Sequence, residues 1–298
     1  MAFDAESVAV QQALPKFSGT LAGVTKAARR NPLGAIAGII CLLLVTLALV
    51  GPFVAPHDAA APGFARLEAP SLSHPFGTDN LFRDMFSRVI VGARNSLGIG
   101  FAAVFVSTLA GVVMGISSGY LGGNVDMIVS RIVDIMIAYP GLVFLIFVVT
   151  IFGPTFLSVS IAIGLFMTPS ATRVIRSTAI GVRHQQFIEA AVSIGCSPMR
   201  IMIRHVLPNV MSSIIVVATI QVGAAILAEA ALSFLGLGVS SAANPSWGRM
   251  LQETKTFWQS AWWTAVVPGM AISFTVLAFN LFGDALRDAL DPRLRGSR

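Results

Sequence analysis

The stretch LGAIAGIICLLLVTLALVGPFV, Leu33 to Val54, contains no charged side chain and is bracketed by Pro32 and Pro56. A helix must present about 20 mostly apolar residues to cross a hydrocarbon core of about 30 Å, and this stretch is long enough. Five further blocks have the same character: Ser96 to Ser118, Ile128 to Phe152, Phe156 to Ile175, Val210 to Phe234 and Trp262 to Phe282. Six such blocks predict an all-α polytopic membrane protein with six transmembrane helices. The composition agrees. Hydrophobic residues make up 55% of the 298 and charged residues 11%, and the mean hydropathy is +0.79. A soluble domain carries about 25% charged residues because it must wet its surface; here lipid is the expected partner of much of that surface.

Orientation follows from the basic residues. With the N-terminus inside, the inner side carries Lys16, Lys26, Arg29, Arg30, Arg131, Arg173, Arg176, Arg183, Arg200, Arg204, Arg287, Arg293, Arg295 and Arg298. The outer side carries Arg66, Arg83, Arg88, Arg94, Arg249 and Lys255, a bias of roughly two to one. The positive-inside rule then predicts cytoplasmic N- and C-termini. Arg83, Arg88 and Arg94 go against that bias, offset in part by Asp79 and Asp84, in a helical stretch expected outside the second span. A net charge of +6 and a pI of about 10.1 are accounted for by basic cytoplasmic loops, so no nucleic-acid partner is expected. Largely polar residues precede the first block, which is also longer than a signal-peptide core, so it reads as a retained span.

The chain divides into a cytoplasmic segment (1–31), a first span with an outer amphipathic segment (32–95), a transmembrane core (96–290) and a cytoplasmic tail (291–298). Cys41 and Cys196 form no CxxC pattern, and His57, His74, His184 and His205 are scattered without ligand spacing, so neither a disulfide framework nor a metal site is expected. No phosphate-binding GxxxxGK[ST] loop occurs. The spans also lack a HExxH, paired-Asp or Ser/His constellation, which argues against an embedded enzyme. No inverted repeat suggests a self-contained secondary transporter.

The longest inner connection, within 183–208, reads as two short helices joined by a bend. Phe187, Ile188, Ala191 and Ile194 recur at helical spacing. Gly195 suits the left-handed position that ends a helix. Ser197 suits an N-cap, and Pro198 the first position of a new helix. Pro208 marks the start of the fifth span. Ala190 and Ala191 would let another surface approach the backbone closely, Phe187 and Ile188 would anchor it, and Glu189, Arg200 and Arg204 would orient it.

The pattern Glu189-Ala190-Ala191, three residues, Gly195, nine residues, then His205 two positions before Leu207-Pro208 resembles the EAA loop of permease subunits in bacterial binding-protein-dependent ABC importers. His205 stands where an aliphatic residue is common in that family. His74-Pro75-Phe76-Gly77-Thr78-Asp79, Gly119 to Gly123, Ser233 to Gly238, Pro245 to Gly248 and Gly283 to Arg293 resemble the second permease of dipeptide, oligopeptide and nickel importers. Phe82 departs from that pattern, where Gly is usual, and so does Thr168, where an aromatic is common. The resemblance implies the type I importer fold and a bacterial inner-membrane location. It implies a loop that docks on a cytoplasmic ATPase and no catalysis by this chain, with ATP and Mg2+ held by one or two partner ATP-binding subunits. It also implies a homologous second permease and an extracytoplasmic solute-binding protein, with di- or oligopeptides as the favoured solute and nickel chelates, glutathione-like compounds or sugars as the alternatives.

Polar residues inside spans are functional candidates by default. Ser212, Ser213, Gln221 and Glu229 lie on a broadly similar face of the fifth span and are candidates to line the solute pathway; for Glu229 a structural pairing is the stronger alternative. Arg131 and Asp134 are expected to pair on one helix face, Pro140 to kink the third span, and Trp247, Trp258, Trp262 and Trp263 to anchor at the outer interface.

Overall fold

The computed structural model describes residues 31–239 and 244–290; the predicted segments 1–31 and 291–298 lie almost entirely outside them. The helices are α1 (Pro32–Val54), α2 (Met85–Leu121), α3 (Gly123–Ala138), α4 (Gly141–Phe152), α5 (Phe156–Arg183), α6 (Gln186–Ser193), α7 (Pro198–Ile201), α8 (Leu207–Phe234), α9 (Trp247–Thr254) and α10 (Trp263–Leu290). A π-helical turn, Met202–Val206, joins α7 to α8. Among the described residues five helices are long and apolar enough to cross a membrane, counting Pro198–Phe234 as one, and the α3–α4 pair makes a sixth if it is taken as one broken span.

Small residues set the packing of the bundle. Gly111, Gly115 and Gly119 on α2 rest against Ala171, Ile175 and Ala179 of α5, in the same order along both helices, so these helices run parallel. In lipid the hydrophobic effect gives helices no reason to associate, and close backbone approach at small residues replaces it. Gly100 meets Ile226 of α8, which runs the other way. Gly34 of α1 meets Ala285 of α10, and Gly51 meets Ile90. Both ends of the described chain therefore lie at the end of the bundle that carries α6, the loop end. Residues 55–84 and α9 cover the other end as a cap.

Three expectations change. The third block does not form one kinked helix: α3 and α4 meet at an angle of 89° at Tyr139-Pro140. Pro140 withholds an N–H and drives Tyr139 into extended backbone (ψ 135°), so the break exceeds a kink. An apolar cavity of about 440 Å³ opens there, lined by Tyr139, Phe144, Phe147 and Phe166 among others. Second, residues 57–84 form no amphipathic helix; the outer helical stretch is the first turns of α2 itself, which at 37 residues is about 55 Å long. Third, Asp134 pairs with Arg173 of α5 (3.2 Å) rather than with Arg131, and Asp126 pairs with Arg176 (2.6 Å). Both pairs hold the amphipathic α3 against α5.

The cap is irregular in backbone and dense in polar contacts. Asp79, Arg83, Arg88 and Glu253 form a buried ion cluster: Arg83 Nε donates to Asp79 (2.7 Å), Arg83 and Arg88 each donate to Glu253 Oε2 (3.0 Å), and Arg88 also donates to Asp79. Arg83 and Arg88, two of the three charges that broke the inside–outside bias, are thus internal ties between the cap, α2 and α9, whereas Arg94 is exposed. Trp247 and Trp263 are buried and donate to the carbonyls of Val89 (2.9 Å) and Thr78 (3.2 Å), whereas Trp258 and Trp262 stay exposed. Two of the four tryptophans are therefore packing ties, not surface anchors. Gly77, at φ +70°, lies where a Cβ would strike the Glu68 carbonyl and the Trp263 ring. Phe82 has φ +64°, the left-handed region that favours glycine, which gives a physical reason for the glycine usual at this position.

Candidate functional site

At the loop end α6 leaves α5 after a turn at His184-Gln185 and stops at Gly195, whose φ of +79° satisfies the left-handed termination expected of it. The Gly195 and Cys196 amides return to the carbonyls of Val192 (2.9 Å) and Ala191 (3.1 Å). Ser197 takes the N-cap position with extended backbone, but its side chain makes no capping bond, and Pro198 opens α7. The second short helix is not separate. It runs through the π turn into α8, so Pro198–Phe234 is one continuous rod. At the π turn the Leu207 amide reaches Met202, and the Asn209 side chain donates to the His205 carbonyl (2.7 Å), so Pro208 is accommodated without a break.

The knob has two faces, and they divide the residues that helical spacing grouped together. Ile188 and Ala191 are buried with Ile201, Val206 and Val210 against Ile175 and Ala179 of α5. Phe187 (43% exposed) and Ile194 (80%) face outward with Val192, Met199 and Ile203. Ala191 is thus spent on packing within the chain, and Ala190 is the alanine left open. Glu189, Arg200 and Arg204 are exposed around the apolar patch, and Leu207 is half-buried beneath it. Because α6 packs on α5 and α7 is continuous with α8, a force on the patch reaches two spans through rigid elements.

The four pathway candidates fall into two groups. Ser212 and Ser213 are half-buried near the loop end, where Thr178 lies 3.3 Å from Ser213. Gln221 and Glu229 point into the bundle. Gln221 accepts from Ser107 of α2 (3.0 Å) and donates to the Met167 carbonyl of α5 (3.2 Å), tying three helices. Glu229 is fully buried and accepts from Ser233 (2.6 Å), beside Ser246 and the α9 N-terminus.

Sequence spacing also missed a cluster in the cap. His57, His74 and Asp84 come together although 27 residues separate the outer two. Burial alone would push the Asp84 carboxyl up, but bonds from the Ser87 hydroxyl and amide and from His74 hold it below the usual range.

A bundle of long apolar helices, with a short-helix knob set rigidly on two of them, defines a polytopic membrane subunit of the type I ABC importer class. A chain of the MetNI methionine ABC transporter in an inward-facing conformation shares the fold (TM-score 0.58, 19% identity, 70% of this chain and 98% of that one). The chain belongs to the family of binding-protein-dependent transport system inner membrane components, which it matches over residues 111–296. Residues 22–70 match the N-terminal transmembrane domain of oligopeptide transport permease C. Similar proteins include the dipeptide transport system permease protein DppC of Alkalihalophilus pseudofirmus, 42% identical over 91% of this chain and 89% of that protein. The glutathione transport system permease protein GsiD of Escherichia coli is 43% identical over 90% of this chain and 89% of its own length. The protein is an inner-membrane permease of an ABC importer.

Proposed function

We propose that this chain forms, with a homologous second permease, the translocation pathway for short peptides delivered by an extracytoplasmic binding protein. We infer that its α6–α7 knob docks on a cytoplasmic ATPase subunit. The observation that carries the reading is the divided knob: an inner apolar face fixed to α5 and α8, and an outer apolar face of Phe187, Val192, Ile194, Met199 and Ile203 open to a partner. An exposed patch rimmed by charge marks a protein interface, and its rigid attachment suits it to pass ATP-driven motion into the spans. ATP and Mg2+ belong to the partner ATPases in this reading, and the loop end, with both ends of the described chain, faces the cytoplasm. Short peptides are the favoured solute because the named relatives serve dipeptides and glutathione, itself a tripeptide.

The test is purification of the chain from its native membrane, with ATPase assay of wild type and Glu189→Ala. A second permease and ATP-binding subunits should co-purify, and the variant should lose solute-stimulated ATPase activity. Purification of the chain alone, or full coupling in the variant, would remove the docking argument.

A further inference from the structure

The cap cluster lies apart from the knob and from the pathway candidates. Asp84 is the N-cap of α2; its Oδ2 accepts from the Ser87 amide (2.8 Å) and hydroxyl (2.7 Å). His74 Nδ1 stands 3.1 Å from Asp84 Oδ1, and His57 Nδ1 stands 3.5 Å from Oδ2. Donor atoms of the three residues all lie within 4.8 Å of one another. Tetrahedral ligands about 2.0–2.1 Å from a zinc ion stand about 3.3 Å apart; each imidazole is already about that far from one of the two Asp84 oxygens, and a modest closure of the three side chains would bring one donor atom of each to a shared ion.

Two further features point to a ligand. His57 Nδ1 is buried and makes no hydrogen bond, so its lone pair is free to meet a ligand. The Phe64 ring packs edge-on against both imidazoles, with centroids 4.9 and 4.4 Å away, fixing their orientation. The His57 backbone amide is itself held by Ser87 Oγ (3.1 Å).

We propose that His57, His74 and Asp84 bind one divalent transition-metal ion of the zinc class. Two imidazoles and a carboxylate favour such an ion over calcium or magnesium, which prefer all-oxygen shells. His57 is 37% exposed in its side chain while Asp84 is 1% exposed, so the ion would enter on the His57 side and keep its fourth position there. The ion would brace the connection from α1 to α2 against the body of the cap.

The test uses the full chain, purified in detergent through a histidine-free tag, stripped with chelator and titrated with Zn2+ or Co2+. One equivalent should bind, cobalt should give a tetrahedral absorption band, and metal should raise the thermal midpoint. His57→Ala, which removes no hydrogen bond of that ring, should weaken binding at least tenfold, the order already caused by losing a metal-supporting partner. It should also abolish the thermal shift, whereas His184→Ala, remote from the cluster, should leave both unchanged. The proposal is overturned if the wild type binds no metal, or if His57→Ala and His74→Ala bind it as tightly as wild type.

Discussion

Replacing Gly115 by alanine adds one methyl where α2 and α5 touch. That methyl would stand 2.9 Å from Ile175 Cβ, 2.9 Å from the Thr172 carbonyl oxygen and 3.0 Å from the Arg176 nitrogen. Two of these are backbone atoms, so no rotamer change relieves the overlap; the helices must part by roughly half an ångström. Overpacking of this kind costs about 1–3 kcal/mol. Alanine returns about 1 kcal/mol of helix propensity, which leaves a net loss of about 0–2 kcal/mol. Gly181 of α5 has nothing within 4 Å of the added methyl, so Gly181→Ala should gain about 1 kcal/mol. The assay follows from the cysteines. Cys41 is buried and Cys196 partly open, so in a Cys196→Ser background a thiol-reactive fluorophore reports unfolding through Cys41 alone. Thermal midpoints should fall for Gly115→Ala and rise for Gly181→Ala. A midpoint for Gly115→Ala as high as that for Gly181→Ala would refute the close-contact account of the α2–α5 seam.

Arg88→Met should destabilise the cap by about 3–5 kcal/mol, because Asp79 and Glu253 would keep only Arg83 as a buried counter-charge; Glu253→Gln added to it should restore part of the loss in the same unfolding assay. Phe82→Gly should raise stability by up to about 1 kcal/mol, since the left-handed conformation costs a side chain about 1–2 kcal/mol and glycine gives back part through its freer unfolded state. Phe187→Asp should leave thermal unfolding near wild type while uncoupling ATPase activity from solute, whereas Ile188→Asp should lower stability outright, because Ile188 is 2% exposed. In intact cells an impermeant thiol reagent should label Leu72→Cys but not Ser193→Cys, both in a background without Cys41 and Cys196; the opposite pattern would invert the orientation.

The first, second, fourth, fifth and sixth spans were legible in the sequence because lipid imposes a one-dimensional rule: about 20 apolar residues in a row, whatever the neighbours. The rule does not fix where a helix stops, and α2 and α8 both outrun their apolar blocks because ordinary helix formers continue the rod beyond the lipid. The knob was half legible. Gly195 and Pro198 are local conformational signals and act as read. Helical spacing could not divide Phe187 from Ile188, because which side is inside depends on where Ile175 and Ala179 stand. Composition and local pattern thus determined the solvent, the number of apolar blocks and the bend between the two short helices of the knob. Tertiary structure alone decided the pairing of Asp134 with Arg173, the burial of Arg83 and Arg88, the inward turn of Gln221 and Glu229, and the meeting of His57, His74 and Asp84. Each of these depends on which element faces which across the fold, and no periodicity along the chain carries that information.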